Sequence, residues 1–331
     1  MISAPGQATV EDVPEPVPGA DDVVVKIDRV GVCGTDLELF RGDMAYLATG
    51  RSWYPLRPGH EWAGRVASIG ERVDPTWRGA RVMGDTMLGC GHCDRCLSGR
   101  KHLCPDLVEV GISLGFAGAL AERIVVPAAS LHRLPDTIDD TAAALVEPGG
   151  NAWRAADAAQ PGPNTRILVL GAGTIGLLAT AFAAAAGAEV HVAARSLARS
   201  VLAKGIGAAA FWQADPPSEF PFDAVIDATN DASSPMAALD RVRPGGRVVY
   251  IGLSGTPSLI ETRRLVLKDV TAVGILSGSP GIGPAIEQYA SGAVDPRPLA
   301  GPPLPLARAS DVLGGWRPDG PAPKVHFDPR L

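Results

Sequence analysis

The 331-residue sequence has no block of lysines or arginines, and its 30 basic residues are outnumbered by 36 acidic ones. With a formal net charge of −6 and a pI of about 5.5, an electrostatic nucleic-acid binder or a protein held on an anionic membrane is disfavoured. The start, Met1-Ile2-Ser3-Ala4-Pro5-Gly6, lacks both a basic and an apolar segment, so no secretory signal is read there and a cytoplasmic location is expected. Glycine and proline, 39 and 30 residues, stay short of a low-complexity composition, and no repeat is visible beyond βα units. One long uncharged run exists, Ile167 to Ala188, close to the ~20 residues of a membrane span. Three glycines inside it follow a dinucleotide-fold spacing, so it reads as buried strand, turn and helix rather than a span. The length is that of about two domains of a globular protein.

The chain has only five cysteines, and four of them fall together as Cys90, Cys93, Cys96 and Cys104. Two-residue gaps turn neighbouring thiolates onto one ion, and the longer return loop closes a tetrahedron. Four thiolates leave no open position, so a structural zinc site is expected, while disulfides are disfavoured by a reducing cytosol. A zinc ribbon reading nucleic acid is the alternative. The basic Arg95, Arg100 and Lys101 are matched by Asp94, Asp106 and Glu109 with no aromatic between them, which weakens it. The fifth cysteine, Cys33, becomes informative beside His60, Glu61 and Glu147. A thiolate, an imidazole and a carboxylate form a ligand set of the catalytic kind, with a position left for water or substrate. The alternative is that Cys33 is a small buried hydrophobe.

The second half carries the pattern strand, glycine loop, helix, strand. Arg166 to Leu170 is an apolar run suited to a buried parallel strand, followed at once by Gly171-Ala172-Gly173-Thr174-Ile175-Gly176 and an Ala/Leu-rich helix to about Gly187. Gly171 permits the turn, Gly173 lets backbone approach a pyrophosphate, and Gly176 lets helix and strand pack closely. Thr174 and Ile175 open the helix whose N-terminus faces the phosphates. At the end of the next strand, Glu189 to Ala193, the chain has no carboxylate to bond a ribose 2′-hydroxyl. It has Arg195, Ser196 and Arg199, which suit a 2′-phosphate, so NADP is expected over NAD. Further strands are expected at 223–227, 246–251 and 271–276, with helices at 235–242 and 284–290. Together they make a six-stranded doubly wound sheet between about 150 and 290. The first half, with short runs at 23–27, 65–69 and 122–126 between Gly and Pro, reads as β-rich.

These motifs together resemble the zinc-dependent medium-chain dehydrogenase/reductase superfamily over essentially the whole chain. Gly59-His60-Glu61-x2-Gly64-x5-Gly70-x2-Val73 matches its zinc signature, and Gly31-Val32-Cys33-Gly34-Thr35-Asp36, the four-cysteine lobe and the coenzyme fingerprint follow in the family's order. The resemblance implies an α/β protein: a β-rich GroES-like catalytic domain (1–148, completed by 290–331) around a Rossmann coenzyme domain (149–289). It implies that Cys33 and His60 bind a catalytic zinc, with Glu61 a third or exchanging ligand and Glu147 at the remaining position, as in polyol and glucose dehydrogenase branches. Two zinc ions per chain follow. Asp36 corresponds to the carboxylate that orients His60, and Thr35 to the hydroxyl that passes the substrate proton outward. Glu38 stands where many members place a relay histidine, a pattern similar to glucose dehydrogenases, or it is simply a solvated helix carboxylate. Glu109 and Asn151 fall near substrate-contact positions.

The expected reaction is hydride exchange between NADP(H) and a secondary alcohol or ketone, with the substrate oxygen polarised at the zinc. The carboxylates and Asn151 favour a polyol, sugar or cyclitol. Trp53, ahead of the zinc histidine, suits a sugar face or an apolar alcohol, or it is a structural plug. Apolar or aromatic secondary alcohols are the alternative substrates, and a silent NADPH-binding homologue is the alternative from another class. A homo-oligomer, dimer or tetramer, is expected, with neither nucleic acid nor membrane as partner.

Overall fold

The computed structural model describes residues 1–214, 216 and 220–331. They form two compact units, one of Met1–Glu147 with Ala300–Gly320 and Lys324–Leu331, the other of Pro148–Leu299 with Pro321–Pro323. The chain returns to the first unit at Ala300 rather than near residue 290. Val294 and Leu299 are buried, which keeps the stretch after helix Ile282–Ala290 with the second unit.

In the first unit the long strand β1 (Asp22–Gly31) leads to helix α1 (Gly34–Arg41), and strands β2 (Glu61–Ile69), β3 (Arg81–Gly84), β4 (Arg123–Pro127) and β5 (Leu131–Arg133) follow. Along β1, Val23, Val25 and Ile27 point into the core. The β1–β2 register shifts between Ile27 and Arg29, after which Val30 and Val32 point inward instead. A register step of one residue reverses the faces of a strand. Arg29 and Gly31 are thereby turned away from the core, onto the face they share with Glu61. Trp62, Val66, Val82, Ile124 and Val126 complete the core, each worth about 1.5–3 kcal/mol when fully buried.

Helix α1 is held at both ends. The Asp36 carboxylate accepts the N–H of Cys33, the residue before the first turn, and Gly42 closes the helix in the left-handed conformation at φ 86°. Leu39 and Phe40 bury its inner face, while Thr35 and Glu38, three residues apart, share a half-buried flank.

The second unit opens with helix α2 (Val146–Ala158), whose first residues belong to the first unit, then β6 (Arg166–Leu170), α3 (Thr174–Ala185) and β7 (Glu189–Ala194). Strands β8 (Ala208–Gln213), β9 (Phe222–Asp227), β10 (Val242–Tyr250) and β11 (Thr271–Gly274) complete a parallel sheet of order β8-β7-β6-β9-β10-β11. The order reverses between β6 and β9, which is where such sheets place ligands. Strand β8 was not located from the sequence. Its alanines carry little strand signal, and its place at the edge is secured by Trp212, whose Nε1 donates to His191 Nδ1 on β7 at 3.1 Å. The uncharged run 167–188 is β6, the glycine loop and α3, and among the described residues no helix is long and apolar enough to cross a membrane.

Back in the first unit, strand β12 (His326–Phe327) pairs antiparallel with β1. The sheet order is then β12-β1-β2-β3-β5, with β4 also on β1.

Candidate functional site

The site is organised by Asp36. Its side chain is fully buried, with Oδ2 accepting the Cys33 N–H at 2.8 Å, Oδ1 accepting the Gly59 N–H at 3.1 Å, and His60 Nδ1 3.5 Å from Oδ1. One carboxylate therefore ties the start of α1 to the start of β2, and so places Cys33 against His60. Burial pushes the Asp36 pKa up, but His60 and the two backbone N–H groups outweigh it and the net shift is downward. Burial works against a charged His60, yet Asp36 and Cys33 raise its pKa well above the usual imidazole value.

One ligand atom each from Cys33, His60 and Glu61 lies within 4.8 Å of the others. Sulfur, imidazole nitrogen and carboxylate oxygen this close suit a zinc ion with a position left open. Glu61 is also held from its other side, since Lys324 Nζ donates to its two oxygens at 2.6 and 2.7 Å and to the Val32 carbonyl at 3.0 Å. Gly31 makes room for this pair, because a Cβ there would stand 2.5 Å from Glu61 Oε2. Glu147 is buried at the start of α2 and accepts from Thr86 Oγ1 at 3.4 Å, but lies outside the 4.8 Å set. Burial, reinforced by Glu61 and Asp85 against the pull of His60 and Lys324, pushes its pKa up to about 7.

A second cluster, Cys90, Cys93, Cys96 and Cys104, has all four sulfurs within 4.8 Å, with Cys93 and Cys104 3.8 Å apart. That separation is the edge of a tetrahedron with bonds of about 2.3 Å. Backbone N–H groups point at the sulfurs: Cys93 N–H to Cys90 at 3.4 Å and Cys90 N–H to Cys104 at 3.3 Å. The N–H groups of His92 and Cys93 bring the Cys90 thiol down to about 6. Against an N–H from Gly91, burial and the neighbouring thiols push Cys96 up to about 11. Successive thiolates thus repel one another, and a cation resolves that repulsion.

In the second unit Gly171 stands at φ 101° directly after β6, and a Cβ at Gly176 would lie 2.0 Å from the Gly171 carbonyl. A Cβ at Gly173, by contrast, meets nothing within 4 Å, so the loop presents open backbone ahead of α3 and the N–H groups of Thr174 and Ile175. Arg195 and Ser196 are exposed after β7, Ser196 Oγ accepting the Ala198 N–H. Arg199 is engaged, its Nη1 on the Ala172 carbonyl and its Nε on the Pro321 carbonyl, both at 3.0 Å.

Residues 19–136 match the model of the alcohol dehydrogenase GroES-like domain, and residues 174–291 that of the zinc-binding dehydrogenase domain. An L-threonine 3-dehydrogenase of Marinomonas sp. (strain MWYL1) is 32% identical, with 80% of this chain and 79% of that one covered. The chain belongs to the zinc-dependent medium-chain dehydrogenase superfamily. It is an oxidoreductase of the type acting on alcohols. A crystal structure described as a zinc-binding dehydrogenase from Sinorhizobium meliloti 1021, bound to NADP, superposes with a TM-score of 0.90 at 29% identity, covering 99% of this chain and 98% of that one. An alcohol dehydrogenase of Escherichia coli CFT073 complexed with NADH gives 0.90 at 27%, with coverages of 99% and 97%.

The substrate-contact residues read from the sequence of this dehydrogenase are differently placed. Glu109 is buried, with Arg51 Nη2 3.5 Å from its Oε2 and Tyr46 beside it, so its carboxylate anchors a loop. Its neighbour in the strand pair is Met87, and it is Thr86 that turns toward Glu147. Trp53 is exposed and packs on Gly115. Asn151 lies four residues after Glu147, on the same side of α2. Glu38 is half-buried, and burial with nearby Asp43 raises its pKa against the pull of Arg41. Sequence reasoning missed Lys324 and Thr86. A lysine directly before Val325-His326-Phe327, near the C-terminus, was the available signal for the first.

Protons would compete with a metal for this pocket, because Asp36 and Cys33 raise His60 well above the usual imidazole value and burial pushes Glu147 up to about 7. Zinc affinity of metal-stripped protein, measured by chelator competition between about pH 6 and pH 8, should therefore rise by more than about tenfold per pH unit. A pH-independent affinity would contradict the geometry.

Proposed function

We propose that this chain catalyses reversible hydride transfer between NADP(H) and a polar secondary alcohol or its ketone, with polyols, sugars and cyclitols as the substrate class, using two zinc ions per chain. The observation that carries the reading is the convergence of Cys33, His60 and Glu61 around Asp36. Cys33 and His60 would hold the catalytic zinc, with Glu61 and Glu147 as its carboxylate ligands, and Cys90, Cys93, Cys96 and Cys104 would hold the structural one. When bound, the catalytic zinc supplies a Lewis acid for the substrate oxygen, and the nicotinamide supplies the hydride carrier.

The chain's own residues supply the rest. Asp36 fixes the His60 ring, and Lys324 directs the Glu61 carboxylate. Thr35 Oγ1 takes the substrate proton outward, and Glu38, on the same flank of α1, is the next acceptor. Glu38 and Asn151 favour a substrate rich in hydroxyls. Gly171, Gly173 and Gly176, with the N–H groups of Thr174 and Ile175, form the pyrophosphate cradle. Arg195 supplies the charge for a 2′-phosphate, and Ser196 a hydroxyl. Arg199, engaged with carbonyls, shapes the loop on which they stand. A second reading, a hydroxylated amino acid as substrate, is favoured by the threonine dehydrogenases among the relatives.

A homo-oligomer is supported by the sheet edge. Strand β11 is the last of its sheet and largely exposed, and Leu253, Leu259, Val266, Leu267 and Leu276 nearby are all more than half exposed. An apolar edge of this kind calls for a cover, which a second copy supplies.

Zinc-loaded protein should reduce NADP faster than NAD with a polyol or sugar from a panel that also holds L-threonine and apolar secondary alcohols. Cys33→Ser should fall to background while binding NADPH unchanged. Activity confined to apolar alcohols would remove the hydroxyl-rich substrate class. Light scattering should give a mass of at least two chains, and a monomer at micromolar concentration would contradict the role given to β11.

A further inference from the structure

The four-cysteine lobe and the catalytic cluster are joined through one ion pair. Asp85 follows β3 and is buried. Its N–H donates to the Ser130 carbonyl at 2.9 Å, its Oδ1 accepts the Met87 N–H at 2.9 Å, and its Oδ2 lies 2.9 Å from Lys101 Nζ. Lys101 stands in the return between Cys96 and Cys104. Its carbonyl accepts the Cys104 N–H at 3.0 Å. Its Cβ crowds Gly89, where an added Cβ would stand 3.0 Å from it and 2.6 Å from Cys96 Sγ. The residue after Asp85 is Thr86, whose Oγ1 reaches the His60 carbonyl at 3.3 Å and Glu147 Oε1 at 3.4 Å. The lobe therefore touches Lys101, Lys101 holds Asp85, and Asp85 sets the turn from which Thr86 reaches two of the proposed catalytic ligands.

We infer that Lys101 is a positioning residue for the catalytic metal: its ion pair with Asp85 makes the binding of that metal depend on an ordered four-cysteine lobe. The inference rests on the two-zinc reading above. The physical reason is that a buried carboxylate without its cation must move toward water or take up a proton. Movement of Asp85 carries Thr86 with it, because the two share a peptide bond and the Asp85 carboxylate also holds the Met87 N–H. Groups that orient metal ligands change metal affinity by about 10-fold to 100-fold when removed. The lobe then does more than staple a loop, since loss of its metal releases Lys101 and loosens the catalytic ion as well.

The test measures catalytic-zinc affinity by chelator competition, and lobe integrity by protection of its four thiols from a disulfide reagent. Wild type, Lys101→Met, Lys101→Arg, Cys104→Ser and the Lys101→Met/Cys104→Ser double variant are compared. Lys101→Met should keep the lobe thiols protected yet lose about tenfold in catalytic-zinc affinity, with a shifted visible spectrum after cobalt substitution, and Lys101→Arg should restore both. Cys104→Ser should lower the affinity comparably, and the double variant should be no worse than either single one, since the two act through the same link. Asp85→Asn, which loses the ion pair, carries the same expectation and serves if Lys101→Met does not fold. Wild-type affinity and spectrum in Lys101→Met with an intact lobe, or additive losses in the double variant, would overturn the inference alone. A wild-type chain that takes up one zinc rather than two takes down the two-zinc reading and this inference together.

Discussion

Everything in the catalytic half of the first unit depends on one buried carboxylate. Asp36 accepts backbone N–H groups from Cys33 and Gly59, residues far apart in sequence, and faces the imidazole of His60. A buried charge costs several kcal/mol unless its lone pairs are satisfied. Here they are satisfied by the two chain segments whose side chains must meet. The same contact caps α1 and so orients Thr35 and Glu38 along the helix flank. Helix start, strand start and the approach of Cys33 to His60 are consequences of one set of hydrogen bonds.

Around that centre lie three further carboxylates, each treated differently. Glu61 is paired with Lys324 and Asp85 with Lys101, while Glu147 accepts from the Thr86 hydroxyl and has a pKa pushed up to about 7 by burial. Four carboxylates and the Cys33 thiol thus gather around two lysines and one histidine, a donor set that suits a divalent cation. The register step in β1 belongs to the same design. By turning Gly31 away from the core it leaves room beside Glu61, where a side chain at that position would crowd the carboxylate that Lys324 holds.

Much of this was legible in the sequence because it is local. The four lobe cysteines sit within fifteen residues of one another, and the glycine fingerprint directly follows an apolar strand, so spacing alone pointed to the clustering of the sulfurs and to the strand–loop–helix. The strands around residues 23, 65, 123, 166, 189, 223, 246 and 271 follow from apolar runs between Gly and Pro. What spacing could not carry was side-chain partnership at long range. Lys324 reaches Glu61 across 263 residues, and Arg51 takes up the Glu109 carboxylate across 58. The alanine-rich β8 was invisible because its place comes from Trp212 packing at the sheet edge, not from its own propensity.

Cys33, His60 and their carboxylate neighbours are proposed as a metal centre separate from the four-cysteine lobe. Anomalous diffraction at the zinc edge on crystals of the zinc-loaded protein tests it most directly. Two peaks per chain are expected, one among Cys90, Cys93, Cys96 and Cys104 and one against Cys33 and His60. A single peak, in the lobe alone, would contradict it.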